Sequence, residues 1–600
     1  MYNPLTDETS RLSRRSMLAG TIKLGAFAAA SWLAGCFKGE GPAVPAAEPG
    51  GKEAAAETIT VTGDPSTRIL FKKGLIADGT GKRAYVGDVL VNRDVIEKVT
   101  RGDIGFTGKT VDCAGKVIAP GFIDEHSHND WLLCRKNHAD MLKSFTAQGI
   151  TTFVTGNCGF GVAGFEKNST FKKFIEKQTG GFLGNEHIEW DTMDQYYAVL
   201  KRQGISHNMV NLAGHGTSRM SIRGYKPDPM SAGEMAVLLR LLDESMEQGC
   251  YGVSLGLQYE PGIFATADEL MQVARLVKKH DKILTVHKKA YSSLSPTYPL
   301  VPFGAPHNIL ALKEMLDIAR KTGVRLQVSH LIFVGTDTWD TCGKALAMIE
   351  KAQRDGVDVK FDTYSYHCGT SVISVVLPAW FLGRVPEVYN DRKALLRLEM
   401  EFRVIKFLLG FGYEDIQITN ALQPDLDRYN GMFLGDIAEK RGMGQFENFI
   451  DMVKKTGGKA RVLNHRYSSL DNVKELMRHP SSLFMTDAIP APDGVQNPGS
   501  FGCFPRFLQF AREYRVITME EAVRKMTGAT AERFRIPKRG FLKEGYAADI
   551  TLFDWKRVRD NNTDLKTDAA PSGIEAVYVN GKLVMENGKT DTAVLTGTVV

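Results

Sequence analysis

The stretch "GFIDEHSHND" (residues 121–130) ends an apolar run with two histidines one residue apart, His126 and His128. Alternate residues of a strand point to the same face, so both imidazoles can reach a single ion. Seven more short apolar runs follow, and amphipathic helical stretches such as residues 266–281 and 307–323 lie between several of them. Eight strand–helix units predict a closed parallel (β/α)8 barrel, and this count disfavours the alternative of a doubly wound sheet.

Polar residues stand at the C-terminal ends of these predicted strands, where barrels of this kind carry their chemistry. In chain order they are His126, His128, Cys158, His215, Ser254, His287, His330, Tyr364, Tyr366 and Asp487. One histidine at a strand end is usually a hydrogen-bonded structural group. Histidines at four of the eight ends, with a cysteine and an aspartate at two more, indicate instead a shared site.

The residue types in this set point to a metal and to hydrolysis. Neutral imidazole and thiolate are ligands that suit Zn²⁺. Zinc lowers the pKa of a water that it binds to roughly 7. Asp487 supplies a carboxylate that can take a proton from such a water. The sequence therefore predicts zinc-assisted hydrolysis.

The first 35 residues have the pattern of an export signal. A twin-arginine pair, Arg14 and Arg15, precedes an apolar stretch too short for a comfortable membrane span, which ends in "LAGC" (33–36). The arginine pair predicts the Tat route, and the ending is similar to a bacterial lipobox. We therefore expect Cys36 to carry a lipid that anchors the chain to a membrane, on the periplasmic side. An unprocessed signal anchor is the alternative.

The remaining chain divides into regions that differ in composition and in hydrophobic pattern. Residues 36–66 are rich in Ala, Gly, Pro and Glu and predict a flexible tether. Residues 67–118 and 540–600 alternate in short strand-like pieces, which predicts one β-sandwich built from both chain ends. The barrel is expected over residues 119–539. Residues 372–460, before the eighth strand, form a stretch too long for a plain loop and predict a helical and mixed insertion.

The composition limits the kinds of binding partner that we expect. The 600 residues carry 75 basic and 69 acidic side chains, a formal net charge of +6, without a long basic run. We therefore expect a small-molecule substrate and no nucleic acid. Eight cysteines occur without a C-x-x-C pair, so a disulfide framework is not expected in so large a chain.

Six motifs carry a resemblance to a known family. They are "GNCGFG" (156–161), "AGHGTSR" (213–219), "GVSLGLQYEPG" (252–262), "FDTYSYHCGTS" (361–371), "FGCFPRFL" (501–508) and "LKEGYAADITLFD" (542–554). Together, and in this order, they resemble the N-acyl-D-amino-acid deacylase (D-aminoacylase) branch of the amidohydrolase superfamily. The resemblance runs from about Arg68 to Gly588 and implies a hydrolase of carbon–nitrogen bonds other than peptide bonds.

The resemblance also implies roles for individual residues. The tight zinc site would be formed by Cys158, His287 and His330, and a second, weaker site by His126 and His128. Asp487 would be the general base and then the proton donor to the leaving amine. The resemblance further implies substrate contacts from Tyr364 or Tyr366 on the seventh strand and from Ser371, while His215 would position a loop or the substrate.

Two cations that the family uses to bind substrate carboxylates are absent. The lysine expected after the sixth-strand histidine is Ile332, and the arginine expected after the catalytic aspartate is Gly499. Either Lys288, Lys289 or the retained Arg506 replaces the lost charge, or the substrate lacks an α-carboxylate. We therefore predict intact metal chemistry and a changed substrate. The alternatives are a cyclic amide or imide hydrolase, and a non-catalytic, metal-containing lipoprotein that binds a ligand.

Overall fold

A computed structural model describes residues 59–60, 64–176, 187–295, 297–299, 304–491, 494–563 and 566–600. The predicted signal (1–35) and Cys36 lie outside these residues, as does most of the predicted tether. Ile59–Thr60, however, pair as a short parallel strand with Ile104–Gly105. The part of the chain with regular structure therefore begins before residue 67.

The middle of the chain forms the predicted barrel. Its eight strands are Phe122–Asp124, Ile150–Thr155, Asn208–Asn211 continued by Ala213–Gly214, Gly252–Gly256, Ile283–His287, Arg325–Val328, Val359–Thr363 and Ser482–Phe484. Every ladder between neighbouring barrel strands is parallel. The (β/α)8 prediction is confirmed, and the doubly wound alternative is wrong.

Residues next to the predicted site join the first barrel strand to the eighth. The Asp124 carboxylate accepts hydrogen bonds from the Thr486 N–H at 2.8 Å and from the Thr486 hydroxyl at 2.6 Å. The Asp487 N–H donates to the carbonyl oxygen of His126 at 3.0 Å. The seam of the barrel thus holds Asp487 against the first-strand histidines.

Helices surround the barrel strands. They are Asp130–Leu133, His138–Thr146, Met193–Gln203, His215–Arg223, Ala232–Glu247, Ala267–Lys279, His307–Thr322, Cys342–Arg354, Leu470–Arg478, Gly499–Glu513, Met519–Met526 and Gly528–Phe534. Local sequence explains where several begin. The Ser231 side chain accepts from the Glu234 N–H while the Glu234 side chain caps the Ser231 N–H, a reciprocal pair that satisfies donors at the helix start. Among the described residues, we find no helix with the length and apolar character needed to cross a bilayer.

Both chain ends contribute to one nine-stranded sheet, as predicted for the β-sandwich. Its strands are Arg68–Ile76, Tyr85–Asn92, Val95–Thr100, Lys109–Asp112, Val117–Pro120, Ile550–Phe553, Ile574–Val579, Lys582–Glu586 and Lys589–Thr590. The link between the two ends is the antiparallel pairing of Val117–Pro120 with Ile550–Phe553. Buried side chains such as Phe71, Val91 and Tyr578 give this part its own core.

The insertion between the seventh and eighth barrel strands has its own sheet and its own core. Its antiparallel strands are Gly369–Val372, Ile416–Asn420 and Arg461–Asn464. Its helices are Ala379–Leu382, Arg392–Leu409, Leu434–Arg441 and Gln445–Thr456. The outer strands extend the predicted boundaries of 372 and 460 by a few residues at each end. The insertion is a small subdomain rather than a loop.

Candidate active site

The predicted zinc ligands converge above the barrel. The Cys158 Sγ lies 3.2 Å from His126 Nε2, 3.6 Å from His287 Nδ1 and 3.4 Å from His330 Nε2. A tetrahedral zinc with usual Zn–S and Zn–N bond lengths separates a sulfur ligand from a nitrogen ligand by about 3.5 Å. The donor spacing therefore fits zinc, and the donor types are those that zinc prefers.

A second group of donors shares Cys158 with the first. The Asp487 Oδ1 lies 3.4 Å from Nε2 of both His126 and His128. The donor atoms of His126, His128, Cys158 and Asp487 all lie within 4.8 Å of one another. Cys158, His287 and His330 form a group by the same distance criterion. These two sets overlap at Cys158, and a third group that meets the criterion, Glu125, His126 and Asp362, shares His126 with the group that includes Asp487.

Three of these residues have a left-handed backbone, with φ of 55° at Cys158, 32° at His330 and 46° at Asp487. Each comes shortly after the end of a barrel strand. Non-glycine residues adopt this conformation at a cost of about 1–3 kcal/mol, and such strain is concentrated at functional sites. The turn redirects each side chain from the barrel wall toward the common centre.

The turn that presents Cys158 is braced from the fourth strand. The Ser254 hydroxyl accepts from the Gly159 N–H at 2.9 Å and donates to the Gly156 carbonyl at 2.5 Å. A Cβ on Gly156 would lie 2.2 Å from the carbonyl oxygen of Leu212, so only glycine fits there. Ser254 therefore supports the ligand turn and does not face the site.

The orientation of His287 is set by a residue that sequence reasoning missed. Its Nε2 lies 2.9 Å from Gln258 Oε1, which can accept a hydrogen bond from the ring only if Nε2 carries the proton. This tautomer leaves the Nδ1 lone pair facing Cys158, as a metal ligand requires. Gln258 stands in the quoted motif 252–262, but nothing in that motif by itself indicated the contact.

Asp362 is a second missed residue, and it contacts both sets of ligands. Its Oδ1 accepts from the His330 N–H at 2.5 Å and lies 3.7 Å from His126 Nδ1. Its Oδ2 accepts from Gln327 Nε2 at 3.2 Å. The carboxylate is completely buried. It therefore braces one ligand from each half of the site.

The electrostatics of the cluster favour ligand-competent forms of Cys158, His287 and Asp487, but not of the first-strand histidines. Burial lowers the pKa of His126 and of His128, but Cys158 and Asp487 outweigh it and raise the pKa of His128 to about 9 and that of His126 well above its usual value. These two imidazoles must therefore lose a proton to bind a metal. Burial raises the pKa of the Cys158 thiol, but the His126 and His330 imidazoles outweigh it and bring the pKa well below its usual value. Burial lowers the pKa of His287 to about 4, so this imidazole is neutral at pH 7. Burial also raises the pKa of Asp487, but His126 and His128 lower it more strongly, and the carboxylate is ionised. Thiolate and neutral imidazole are the forms that bind zinc.

The structure does not bring the predicted substitute cations to the site. Lys288 is buried with its Nζ donating to the Ala290 carbonyl at 3.0 Å, and it lies 3.6 Å from the centre of the Tyr291 ring. Burial lowers the pKa of Lys288 well below its usual value. The Lys289 ammonium pairs with Glu314 at 2.6 Å. The expectation that either lysine faces the substrate is therefore corrected.

Arg506 and Tyr366 are likewise engaged elsewhere. Arg506 pairs with Asp560 at 3.1 Å, and the Tyr366 hydroxyl donates to the same carboxylate at 2.7 Å. Both predicted substrate contacts are thus tied to the connection between the β-sandwich strands Ile550–Phe553 and Ile574–Val579. Of the two candidate tyrosines, Tyr364 keeps a buried hydroxyl without a hydrogen-bond partner in the described part of the chain.

His215 does not contact the donor cluster. It is fully buried and its Nε2 lies 2.8 Å from Glu269, which also pairs with Arg219 at 3.1 Å. This pairing gives His215 a structural role at the start of the helix His215–Arg223. Ser371, in contrast, lines the cavity above the cluster, as predicted for a substrate contact.

A cavity of about 1040 Å³ lies between the cluster and the insertion. Its floor includes Cys158, His287, His330 and Asp487, and Ile332 lies in its wall. The strand Arg461–Asn464 and the following Tyr467 add polar groups that sequence reasoning missed. They reach the site only through the folding of the insertion, so no local pattern could have identified them.

Comparisons with known proteins agree with this geometry. The sequence profile described as "Amidohydrolase family" matches residues 434–585. A D-aminoacylase of Alcaligenes xylosoxydans xylosoxydans is 28% identical over 526 residues, covering 86% of this chain and 94% of that protein. An N-acyl-D-glutamate deacylase of Bordetella bronchiseptica, solved with zinc and a phosphonate inhibitor, is similar in structure with a TM-score of 0.72. It is 28% identical and covers 89% of this chain and 99% of its own.

A further solved structure bears on the metal. This is a D-aminoacylase with a binuclear metal centre, described by one-metal activation and second-metal attenuation. It is similar in structure with a TM-score of 0.72 and is 26% identical, covering 88% of this chain and 99% of its own. These matches span the barrel and the β-sandwich alike. Over most of its length the chain is similar to the D-aminoacylase-like branch of the amidohydrolase superfamily.

Proposed function

We propose that this protein is a zinc-dependent hydrolase that cleaves a non-peptide amide C–N bond. The observation that carries the proposal is the convergence of Cys158, His287 and His330 at the floor of a large cavity, with donor spacings that fit zinc. His126, His128 and Asp487 complete the cluster. Relatives that are deacylases, one of them solved with zinc, support the same assignment.

The residues of the donor cluster have two roles, as metal ligands and as the group that transfers a proton. Cys158, His287 and His330 would hold one zinc firmly, and His126 with His128 would hold a second more weakly. Zinc bound there would lower the pKa of a water to about 7 and polarise the amide carbonyl. Gln258 and Asp362 keep the ligands oriented through the contacts described above.

Asp487 moves the proton. Its carboxylate lines the cavity and is ionised beside His126 and His128. It accepts a proton from the attacking water at Oδ1 or Oδ2 and then delivers that proton to the nitrogen of the leaving amine. One residue serves in both steps, so it must be able to reach both the attacking water and the leaving nitrogen. The position of Asp487 between the first-strand histidines and the cavity allows this.

The substrate differs from that of the deacylases named above. Ile332 lines the cavity where the family resemblance leads one to expect a lysine, and Lys288, Lys289 and Arg506 are engaged elsewhere. The cations that do line the cavity are Lys406, Lys454, Lys455, Lys459 and Arg461, all from the insertion side. A carboxylate buried without a partner is costly, so an α-carboxylate is not anchored at the Ile332 position.

A substrate panel tests the proposal. The mature protein, loaded with zinc, is assayed on N-acetyl-D-amino acids, on open-chain amides without an α-carboxylate, and on lactams and hydantoins. We expect hydrolysis within the second group. Efficient turnover of N-acetyl-D-methionine would contradict the changed substrate, and turnover confined to the rings would favour the cyclic-amide alternative. A zinc-containing protein that cleaves no amide would contradict the whole proposal and favour a ligand-binding lipoprotein.

We also propose that the chain is exported by the Tat route and anchored through a lipid on Cys36. The support is the sequence pattern of residues 14–36. In cells fed a labelled fatty acid, the chain should carry label and fractionate with membranes. Cys36→Ala should lose both properties, and a Cys36→Ala chain that keeps the label would contradict the proposal.

A further inference from the structure

The cavity is much larger than a short acyl amide needs. Its volume of about 1040 Å³ is at the upper end of the range for pockets that enclose drug-sized ligands, roughly 300–1000 Å³. The donor cluster occupies only its floor. Side chains of the insertion line much of the remaining space, and they include apolar groups as well as the five cations named above.

The helix Arg392–Leu409 and the chain that follows it provide the outer wall. Cavity-lining side chains from this part are Phe402, Ile405, Leu409, Phe411 and Ile416. The facing side of the cavity adds Trp131, Phe160, Ile332 and Val334. Apolar side chains from the insertion and from the barrel thus line the same cavity as the donor cluster.

We infer that the amide cleaved here carries a long hydrocarbon chain that lies along this apolar wall. The inference rests on the proposed function, because it names the substrate class of the same site. Burial of each methylene against such a wall is favourable, whereas an N-acetyl group leaves the wall in contact with water. The replacement of the expected lysine by Ile332 extends the same apolar surface down to the floor.

Two substrate series distinguish the side of the amide that carries the chain. One varies the acyl group of N-ethyl amides, which have no α-carboxylate, from acetyl to dodecanoyl, and the other varies the alkyl group of N-alkyl acetamides over the same lengths. The series that lengthens the chain on the side of the amide facing the apolar wall should respond. In that series we expect kcat/KM to rise by about twofold or more per added methylene until the cavity is filled. Values that stay flat or fall with length in both series would overturn the inference.

A matched pair of substitutions on one helix localises the effect. Ile405→Trp fills the cavity, since Ile405 lines it, whereas Leu408 on the same helix is 41% exposed and does not line the cavity. Ile405→Trp should lower kcat/KM for the longest substrate at least tenfold and leave the shortest within twofold. Leu408→Trp should change neither. Equal loss for both chain lengths in Ile405→Trp would overturn the inference.

A binding measurement separates this inference from the proposed function. Dansylamino-undecanoic acid is titrated into the zinc-loaded protein, and its fluorescence is followed. If no amide is cleaved but the probe binds and Ile405→Trp weakens it at least tenfold, the cavity assignment stands while the function fails. If amides are cleaved but the probe does not bind, the function stands and this inference fails.

The outward face of the same helix is a second, independent feature. Leu396, Met400, Val404 and Phe407 are 53%, 68%, 44% and 69% exposed. Their spacing of three and four residues places them on one stripe of the helix. The stripe is contiguous over three turns, which distinguishes it from scattered exposed apolar residues.

We propose that this stripe docks on an anionic lipid surface. The exposed cations Arg392 and Lys393 lie on the same side of the helix, as do Arg397 and Arg403, which pair with Glu401 and Glu399 of the helix itself. An apolar stripe beside cations is the pattern of interfacial helices. A second copy is disfavoured as the occupant. Antiparallel pairing centred on Met400 would place Arg403 of one copy opposite Arg397 of the other.

Vesicle sedimentation tests the docking. The full chain with Cys36→Ala, which removes the lipid site, should bind vesicles of phosphatidylglycerol and phosphatidylcholine more tightly than vesicles of phosphatidylcholine alone. The double substitution Met400→Ser with Phe407→Ser should weaken binding at least tenfold, whereas Leu470→Ser, at an exposed leucine outside the stripe, should not. Unchanged binding, or a dimer in analytical ultracentrifugation that the double substitution dissociates, would overturn the proposal.

Discussion

The floor of the cavity and its outer wall are built from different parts of the chain and have opposite character. The floor combines the ends of barrel strands and concentrates imidazole, thiolate and carboxylate groups. The wall comes largely from the insertion and combines apolar side chains with five cations. The family motifs 156–161 and 252–262 contribute to the floor, and Ile332, where the resemblance leads one to expect a lysine, lines the cavity after the sixth barrel strand. We therefore expect changes to the floor to alter the rate of the reaction and changes to the wall to alter the choice of substrate.

The largest effect is expected from Asp487→Asn on the floor. The amide keeps the shape of the carboxylate but accepts no proton, so kcat should fall by about a thousandfold or more. Zinc content, measured by atomic absorption, should stay at the wild-type level because the three firm ligands remain. Near-normal kcat in this variant would remove Asp487 from the mechanism.

The next largest effect is expected from Cys158→Ser. Loss of the shared thiolate should weaken zinc binding by about a hundredfold or more, beyond the usual effect of a supporting residue. Competition with a chromogenic chelator measures the affinity. Cys250→Ser is the matched control, since Cys250 is also fully buried but contacts Tyr197 away from the site. Equal zinc affinity in the two variants would contradict the role of Cys158.

Asp362→Asn tests whether the bracing carboxylate matters to both halves of the floor. The substitution keeps the size of the side chain but removes the charge that faces His126, and we expect zinc affinity to fall by about tenfold to a hundredfold. Zinc competition gives the affinity, and thermal denaturation of the zinc-free protein gives the control. A drop in stability of the zinc-free form without a change in zinc affinity would show that Asp362 acts only on the fold.

Ile332→Lys tests whether the missing lysine determines which substrate the cavity accepts. A lysine at this cavity-lining position supplies the cation that the wall lacks near the floor. The kcat/KM for N-acetyl-D-methionine should rise about tenfold, in line with a charged hydrogen bond of about 1.5 kcal/mol. Ile332→Met changes the shape without charge and should give no gain. If Ile332→Lys gives no gain either, the missing cation does not explain the changed substrate.

The floor could be predicted from the sequence far better than the wall. Strand ends such as those at Cys158 and His330 are local patterns, and a barrel brings strand ends together. The substitute cations could not be placed in the same way. Lys288 follows His287, the last residue of its strand, so strand alternation no longer determines where Lys288 or Lys289 points. Tyr467 and Asn464 reach the cavity only through the tertiary fold of the insertion.

The central claim is that a thiolate and imidazoles hold the zinc on which the reaction depends. Zinc K-edge X-ray absorption on the purified protein tests it most directly. The account predicts one sulfur ligand at about 2.3 Å together with nitrogen or oxygen ligands at about 2.0–2.1 Å, with the sulfur absent in Cys158→Ser. A wild-type spectrum with no sulfur in the first coordination shell would contradict the account.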